Sequence, residues 1–185
     1  GSSISTLVDT PAPLPIEAIV LSRLRRTSEM RRWTFLTASS SSTSFRSVTS
    51  AGGFSLRALA RRASRNGVDA LVCGDLNIAH HEVDIKNWKG NLTSAGFLPD
   101  ERRYLDRWFA GPWTDLGRSC GGQGPGPYTW WSWRGQAFDN DAGWRIDYQV
   151  ATPALAARAR SASVGRAKSY DARWSDHAAL TVDFD

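Results

Sequence analysis

Residues 68–77 read Val-Asp-Ala-Leu-Val-Cys-Gly-Asp-Leu-Asn (VDALVCGDLN), and how this stretch is read decides the fold. Val68–Cys73 is short, apolar and closed by Gly74, which predicts a buried strand. Asp75 and Asn77 follow just past its C-terminal end, where α/β sheets usually place their ligands. An Asp there presents a negative oxygen to a hard cation or to a water. An Asn can donate to a phosphate oxygen while accepting from that same water. The same Asp-x-Asn pair also fits an Asx-turn with no chemical role.

Working outward, Phe54, Leu56, Leu59 and Ala60 mark one face of a helix whose other face carries Arg57, Arg61, Arg62 and Arg65, with Gly67 as its stop. Pro99-Asp100 opens a second helix running to about Phe109, with Leu105, Trp108 and Phe109 on its apolar side. Four further strands are predicted at Tyr128–Trp133, Trp144–Ala151, Ala159–Val164 and Ala178–Phe184. Strands interspersed with helices indicate a layered α/β domain.

Residues 1–53 read differently. Pro11, Pro13 and Pro15 break the first segment, and residues 37–50 (TASSSSTSFRSVTS) are mostly hydroxyl residues without a period of 2 or 3.6. Such a stretch buries too little to offset its chain entropy. Apart from a short helix around Ile16–Arg26, this segment reads as irregular, and the domain as residues 54–185.

Composition bounds the function classes. The 185 residues suit one domain. Apolar residues make up 41% of the chain, and no apolar run approaches the roughly 18 residues of a membrane span. No secretory pattern opens the chain, and Cys73 and Cys120 form neither a disulfide framework nor a zinc pattern, so a cytoplasmic setting is expected. The net charge is +5. Residues 1–68 hold ten Arg against Asp9, Glu17 and Glu29, so the remainder is slightly acidic. The overall basicity is therefore no argument that the folded part binds nucleic acid. Eight of the nine Trp lie after residue 87, and core packing accounts for them as well as a binding role does.

Two more clusters carry chemistry. Ser175-Asp176-His177 lies just before the last strand. A protonated His beside a phosphate stabilises developing negative charge, and a nearby carboxylate keeps it protonated. A surface Asp-His turn is the plain alternative. In Gly143-Trp144-Arg145-Ile146-Asp147-Tyr148, strand alternation puts Arg145 with Asp147 on one side and Trp144, Ile146 and Tyr148 on the other. Asp147 would then orient His177, or else form a structural pair with Arg145.

Asp-x-Asn, then Trp-Arg-Ile-Asp-Tyr, then Ser-Asp-His before a last strand resembles the endonuclease/exonuclease/phosphatase superfamily. Asn77–Asn91 (NIAHHEVDIKNWKGN), Ser94-Ala95-Gly96-Phe97 and the tryptophan-rich Tyr128–Asp147 are similar to exonuclease III and abasic-site endonucleases. The resemblance covers roughly residues 55–185. It implies the C-terminal half of a four-layer α/β sandwich, with layered mixed β-sheets flanked by helices. It also implies a monomeric, Mg²⁺-dependent hydrolase (Mn²⁺ as an alternative) acting on double-stranded DNA with abasic or 3′-blocked ends, with no membrane or protein partner.

Residue by residue, the resemblance implies that Asp75 activates the water and Asn77 holds it or a phosphate oxygen. His177 contacts the scissile phosphate with Asp147 as its partner. Asp176 helps bind the metal, with Asp75 and Asn77. Trp130, Trp144 and Ile146 wall the pocket for an extruded abasic sugar, and Asn91 and Lys89 touch the DNA backbone.

The family's upstream half normally adds an Asn, a metal-binding Glu in a Gln-Glu motif and a Tyr in a Tyr-x-Pro segment. None is recognisable before Asp75, which predicts weak Mg²⁺ binding and little or no activity. It also predicts a sheet with a bare strand edge. Residues 1–53 read either as a divergent remnant or linker or as a frame-shifted segment, the second suggested by their Arg/Ser/Thr bias. A phosphodiesterase acting on RNA or another phosphate ester, and an inactive fragment that at most binds DNA, are the competing functions.

Overall fold

A computed structural model describes residues 69–185 in full and, upstream, the backbone of two strands, Ile19–Leu24 and Arg32–Phe35. The helix expected from Phe54 and the hydroxyl-rich stretch 37–50 lie outside the described residues.

In chain order the strands are β1 (Ile19–Leu24), β2 (Arg32–Phe35), β3 (Asp69–Asp75), β4 (Thr114–Asp115), β5 (Asp147–Ala151), β6 (Ala159–Val164) and β7 (Leu180–Phe184). The helices are α1 (Pro99–Phe109), α2 (Leu116–Gly121) and α3 (Pro153–Ala156), with short 3₁₀ turns at Glu82–Asp84, Trp88–Asn91 and Tyr170–Ala172. One sheet runs β1-β3-β5-β4 and the other β2-β7-β6, with antiparallel pairing throughout the described strands. Among the described residues no helix is long and apolar enough to cross a membrane.

The expected strand is present as β3 (DALVCGD), but it runs on through Gly74 and includes Asp75 instead of stopping before them, and every residue of it is buried. It has two dry faces because it is covered twice. Ala70 and Val72 point with Tyr148 and Val150 of β5 into a core closed by Leu105 and Trp108 of α1. Leu71 and Ala151 point the other way, onto Val182 and Phe184 of β7 and Leu155 of α3. This second cluster glues the two sheets, and Gln149 adds a buried hydrogen bond across them, donating Nε2 to the Leu180 carbonyl at 2.7 Å.

Helix α1 begins and ends as its sequence predicts. Pro99 occupies the first turn, and the Glu101 carboxylate accepts from the Leu98 amide at 3.0 Å, satisfying one of the free N–H groups of a helix start. Leu105 is fully buried, a contribution of about 1.5–3 kcal/mol for a side chain of this size.

Several expectations change. Within the span read as a helix around Ile16–Arg26, Ile19–Leu24 is a strand, β1. It pairs along β3 from Ile19↔Cys73 to Leu24↔Asp69, so an apolar run with mixed helix and strand propensity is decided by an available sheet edge. With β1 on β3 and β2 on β7, β3 and β7 are each paired on both sides, and among the described strands the edges lie at β1 and β2 instead.

Tyr128–Trp133 is not a regular strand. Trp130 forms isolated bridges to both Trp144 and His177, because its backbone is shared between two partners rather than laid along one. Trp144–Ala151 becomes regular only at Asp147, where the segment 144–146 departs from simple pairing. The Arg145 amide donates to the Asp84 carbonyl, and the Leu76 amide to the Ile146 carbonyl. Arg145 and Asp147 therefore do not pair. The Arg145 guanidinium is 2% exposed and bonds Asp84 at 2.7 Å and Asp115 at 2.8 Å. Arg118 joins the same Asp84. Burial alone would raise the Asp84 pKa, but Arg145 and Arg118 draw it down to about 2.

Candidate active site

The antiparallel register of β3 and β5 places Asp75 directly opposite Asp147. Two buried carboxylates thus meet where one strand ends and the other begins, and His177 closes over them from just before β7. Its Nδ1 lies 2.9 Å from Asp147 Oδ2, and its Nε2 lies 3.9 Å from Asp75 Oδ2. Asp75 Oδ1 accepts from the Asn77 amide at 2.7 Å, while Oδ2 is buried without a hydrogen-bond partner. The Asx-turn reading of Asp75-x-Asn77 is therefore correct as geometry, and it leaves the second oxygen for chemistry.

Electrostatics follow from this crowding. Burial, then the facing Asp147, push the Asp75 pKa up to about 7, against the lowering effects of Asn77 and His177. For His177, burial favours the neutral ring. The Asp147 hydrogen bond and the charges of Asp147, Asp75 and Asp176 outweigh it and raise the pKa above the usual value. A carboxylate that releases its proton near neutrality and an imidazole that keeps one stand side by side.

The turn after β3 exposes Asn77 to solvent with a left-handed backbone, φ 53°. Gly96 is what allows it. At φ +88° a Cβ on Gly96 would stand 2.7 Å from the Asn77 carbonyl oxygen, so the chain can approach this closely only without a side chain. The Glu101 carboxylate accepts from the Gly96 amide at 2.8 Å, tying α1 to the site.

Ser175-Asp176-His177 folds as a tight turn in which the His177 amide donates to Ser175 Oγ at 3.1 Å. Trp130 Nε1 donates to Asp176 Oδ2 at 3.0 Å. The Trp130 and Trp144 rings meet edge to face, centroids 6.2 Å apart, and pack with Ile146, Ile85 and Phe97. The structure thus gathers Asp75, Asn77, Asp147, Asp176, His177, Trp130, Trp144 and Ile146. It holds Lys89 and Asn91 within the Trp88–Asn91 turn instead. The Lys89 ammonium lies 5.5 Å from the Trp88 ring centre, and the Asn91 side chain donates to the Asn87 carbonyl and accepts from Ser94 Oγ.

One residue has no counterpart in the sequence reading. Thr129 is fully buried, and its hydroxyl oxygen accepts from the Ile146 and Asp147 amides, each at 3.1 Å. Its carbonyl accepts from the Ala178 amide at 2.7 Å. Thr129 therefore anchors both Asp147 and the residue after His177. Its only sequence signal is a lone hydroxyl residue inside an aromatic run. Thr129→Val, of nearly equal size, should cost about 1–3 kcal/mol in a urea melt and lower kcat more than it raises KM. Thr129→Ser should recover most of both.

A divalent cation fits in a limited way. Among the described residues no three His, Cys, Asp or Glu side chains gather as one ligand set. The donors on offer are the unpartnered Asp75 Oδ2 and the Asp176 carboxylate. One or two carboxylates completed by water suit a hard ion such as Mg²⁺.

The sequence model described as "Endonuclease/Exonuclease/phosphatase family" matches residues 11–177. An exodeoxyribonuclease of Bacillus subtilis is 41% identical over 107 residues, which is 58% of this chain and 41% of that protein. The DNA repair nuclease APEX1 of Danio rerio is 41% identical over 98 residues, 51% of this chain and 32% of that one. An AP endonuclease from Archaeoglobus fulgidus superposes with a TM-score of 0.61 at 27% identity, covering 70% of this chain and 52% of that chain. The chain spans between about a third and about half the length of these relatives. With a family match over most of its length and the paired carboxylates and imidazole at its centre, the chain belongs to the endonuclease/exonuclease/phosphatase family, and its likeness within it is to exodeoxyribonucleases and AP endonucleases.

Proposed function

We propose that this chain carries the C-terminal catalytic part of a divalent-cation-dependent DNA nuclease that cuts 5′ to abasic sites and removes 3′ nucleotides from duplex DNA. The observation that supports it most is the contact of the His177–Asp147 pair with the unpartnered oxygen of Asp75, next to the Trp130–Trp144 pair.

Asp75, with its pKa near neutrality, takes a proton from the attacking water, and Asn77 holds that water or a phosphate oxygen. His177, kept protonated by Asp147, donates to a phosphate oxygen as negative charge grows there. Asp176, with Asp75 and Asn77, would hold Mg²⁺ or Mn²⁺. The chemistry such a cation supplies is neutralisation of the phosphate and of the leaving oxygen. The apolar wall of Trp130, Trp144 and Ile146 receives a sugar that has lost its base, because such a nucleotide leaves the helix at lower cost than a paired one.

A second reading, DNA binding with little turnover, is favoured by the absence of a third metal ligand among the described residues. Purified chain, Mg²⁺ and a duplex with one tetrahydrofuran abasic analogue separate the two. Incision 5′ to the lesion should vanish in EDTA, and His177→Ala should slow it by about 10²–10³-fold. Binding without incision supports the second reading. Incision that persists in EDTA removes the metal-dependent mechanism.

A further inference from the structure

We infer that the cavity between the Trp131–Trp133 segment and the loop at residues 170–175 is a subsite for an unstacked nucleobase beside the cleaved phosphate, stacked on Trp174 with its backbone charge met by Arg173. This rests on the nuclease reading above.

The cavity holds about 230 Å³ and is lined by Trp131, Phe138, Arg173, Trp174, Ser175 and His177, among others. His177 and Ser175 belong to the candidate active site, so the cavity opens beside the position of the scissile phosphate. Trp130 and Trp144 belong instead to the apolar cluster on Ile85 and Phe97, and neither lines this cavity.

Exposed aromatic surface concentrates here. Of the four large hydrophobics exposed among the described residues, Trp174 (69%), Trp133 (44%) and Tyr170 (36%) surround this loop. Trp133 and Tyr170 brace each other, ring centres 5.8 Å apart, and the Tyr170 hydroxyl donates to the Trp133 carbonyl at 3.3 Å. Trp174 gains the least from the fold.

Cations are interleaved with these rings. The Arg173 guanidinium stands 4.1 Å from the Trp133 ring centre and 4.7 Å from that of Phe138, and Arg166 stands 4.4 Å from Phe138. Arg173 Nη2 donates to the Trp131 carbonyl at 2.5 Å, which fixes its position without neutralising it. A ring face together with a positioned cation matches a nucleotide, which presents a π-face and an anion at fixed separation. An apolar protein anchor would use Trp174 and leave the cations idle. A free phosphate would use the cations and leave Trp174 in water. The occupying base must already be out of its stack, and extrusion is least costly next to a lesion.

The test is binding in EDTA, which prevents turnover. Two fluorescein-labelled hairpin duplexes carry one tetrahydrofuran, with the flanking nucleotide either paired or mismatched. The chain should bind the mismatched form about tenfold more tightly, and Trp174→Ala should bring that ratio to within about twofold, as loss of one stacked base predicts. Trp174→Phe should keep most of it. Arg160→Gln, which removes a positive charge on β6 instead, should leave the ratio intact. An unchanged ratio in Trp174→Ala, or no preference or no binding in the parent chain, overturns the subsite. A chain that shows the ratio but never incises with Mg²⁺ keeps the subsite and loses the nuclease reading. One that incises without the preference does the reverse.

Discussion

Asp75→Asn should abolish incision and at the same time make the metal-free protein more stable. In the mechanism proposed above, the loss of activity follows from removing the proton acceptor, an effect on the order of 10²–10⁴-fold for general base catalysis. The gain in stability follows from the environment that makes Asp75 useful. Its carboxylate is 6% exposed, faces Asp147, and has one oxygen with no hydrogen-bond partner. The substituted Asn keeps a carbonyl oxygen to accept from the Asn77 amide and removes the charge.

The sign is fixed by the pKa. Asp75 is raised from 3.8 to about 7 in the folded protein, so between those values the unfolded chain has released a proton that the folded chain retains. Stability is lost as pH rises through that window, and none of the loss is recovered above it. His177, raised from 6.5, adds a loss in the same direction as pH climbs through its folded value. At about 1.4 kcal/mol per pKa unit, a rise from 3.8 to about 7 puts the Asp75 component on the order of 4 kcal/mol, or roughly ten degrees in Tm for a chain this size. Melts in EDTA should show the Asp75→Asn advantage at roughly a third of its full size at pH 5 and full at pH 8. A pH-independent difference would mean that the buried charge is not its source.

Arg145→Met should be the most destabilising single change in the described part of the chain. It leaves Asp84, fully buried, and Asp115 with Arg118 as the remaining cation at the cluster. Removing one member of a buried ion cluster typically costs about 3–5 kcal/mol, a large share of the roughly 5–15 kcal/mol that holds a domain together. The urea midpoint should fall accordingly. Adding Asp84→Asn and Asp115→Asn to Arg145→Met should recover part of the loss, because the stranded negative charges go with it. If the triple variant is no better than Arg145→Met alone, the loss comes from packing, including the Arg145 contact 4.6 Å from the Tyr148 ring centre.

The features legible in the sequence are the ones whose cause is local. Strand β3 announces itself through an apolar run followed by Gly74, and α1 through Pro99-Asp100 and the spacing of Leu105, Trp108 and Phe109. The nearness of Asp75, Asp147 and His177 is not local, and only the order of their motifs pointed to it. Where two distant segments compete for one backbone, local pattern misleads. Trp130 is shared between Trp144 and His177, and so Tyr128–Trp133 forms no regular strand. Arg145 sits two residues from Asp147, yet its partners are Asp84 and Asp115. Ile19–Leu24 has helix-compatible residues and becomes a strand because β3 offers an edge. Thr129 acts through one hydroxyl on amides 17 and 18 residues away, a relation that no periodicity encodes.

Asp75 and Asp147 belong to the β1-β3-β5-β4 sheet, whereas His177 is delivered by the segment leading into β7 of the other. Neither sheet holds the site alone. A chain emerging from synthesis, or one that has partly come apart, has the two carboxylates and the imidazole on separate bodies, so the site is an interlock that closes only when both sheets have met.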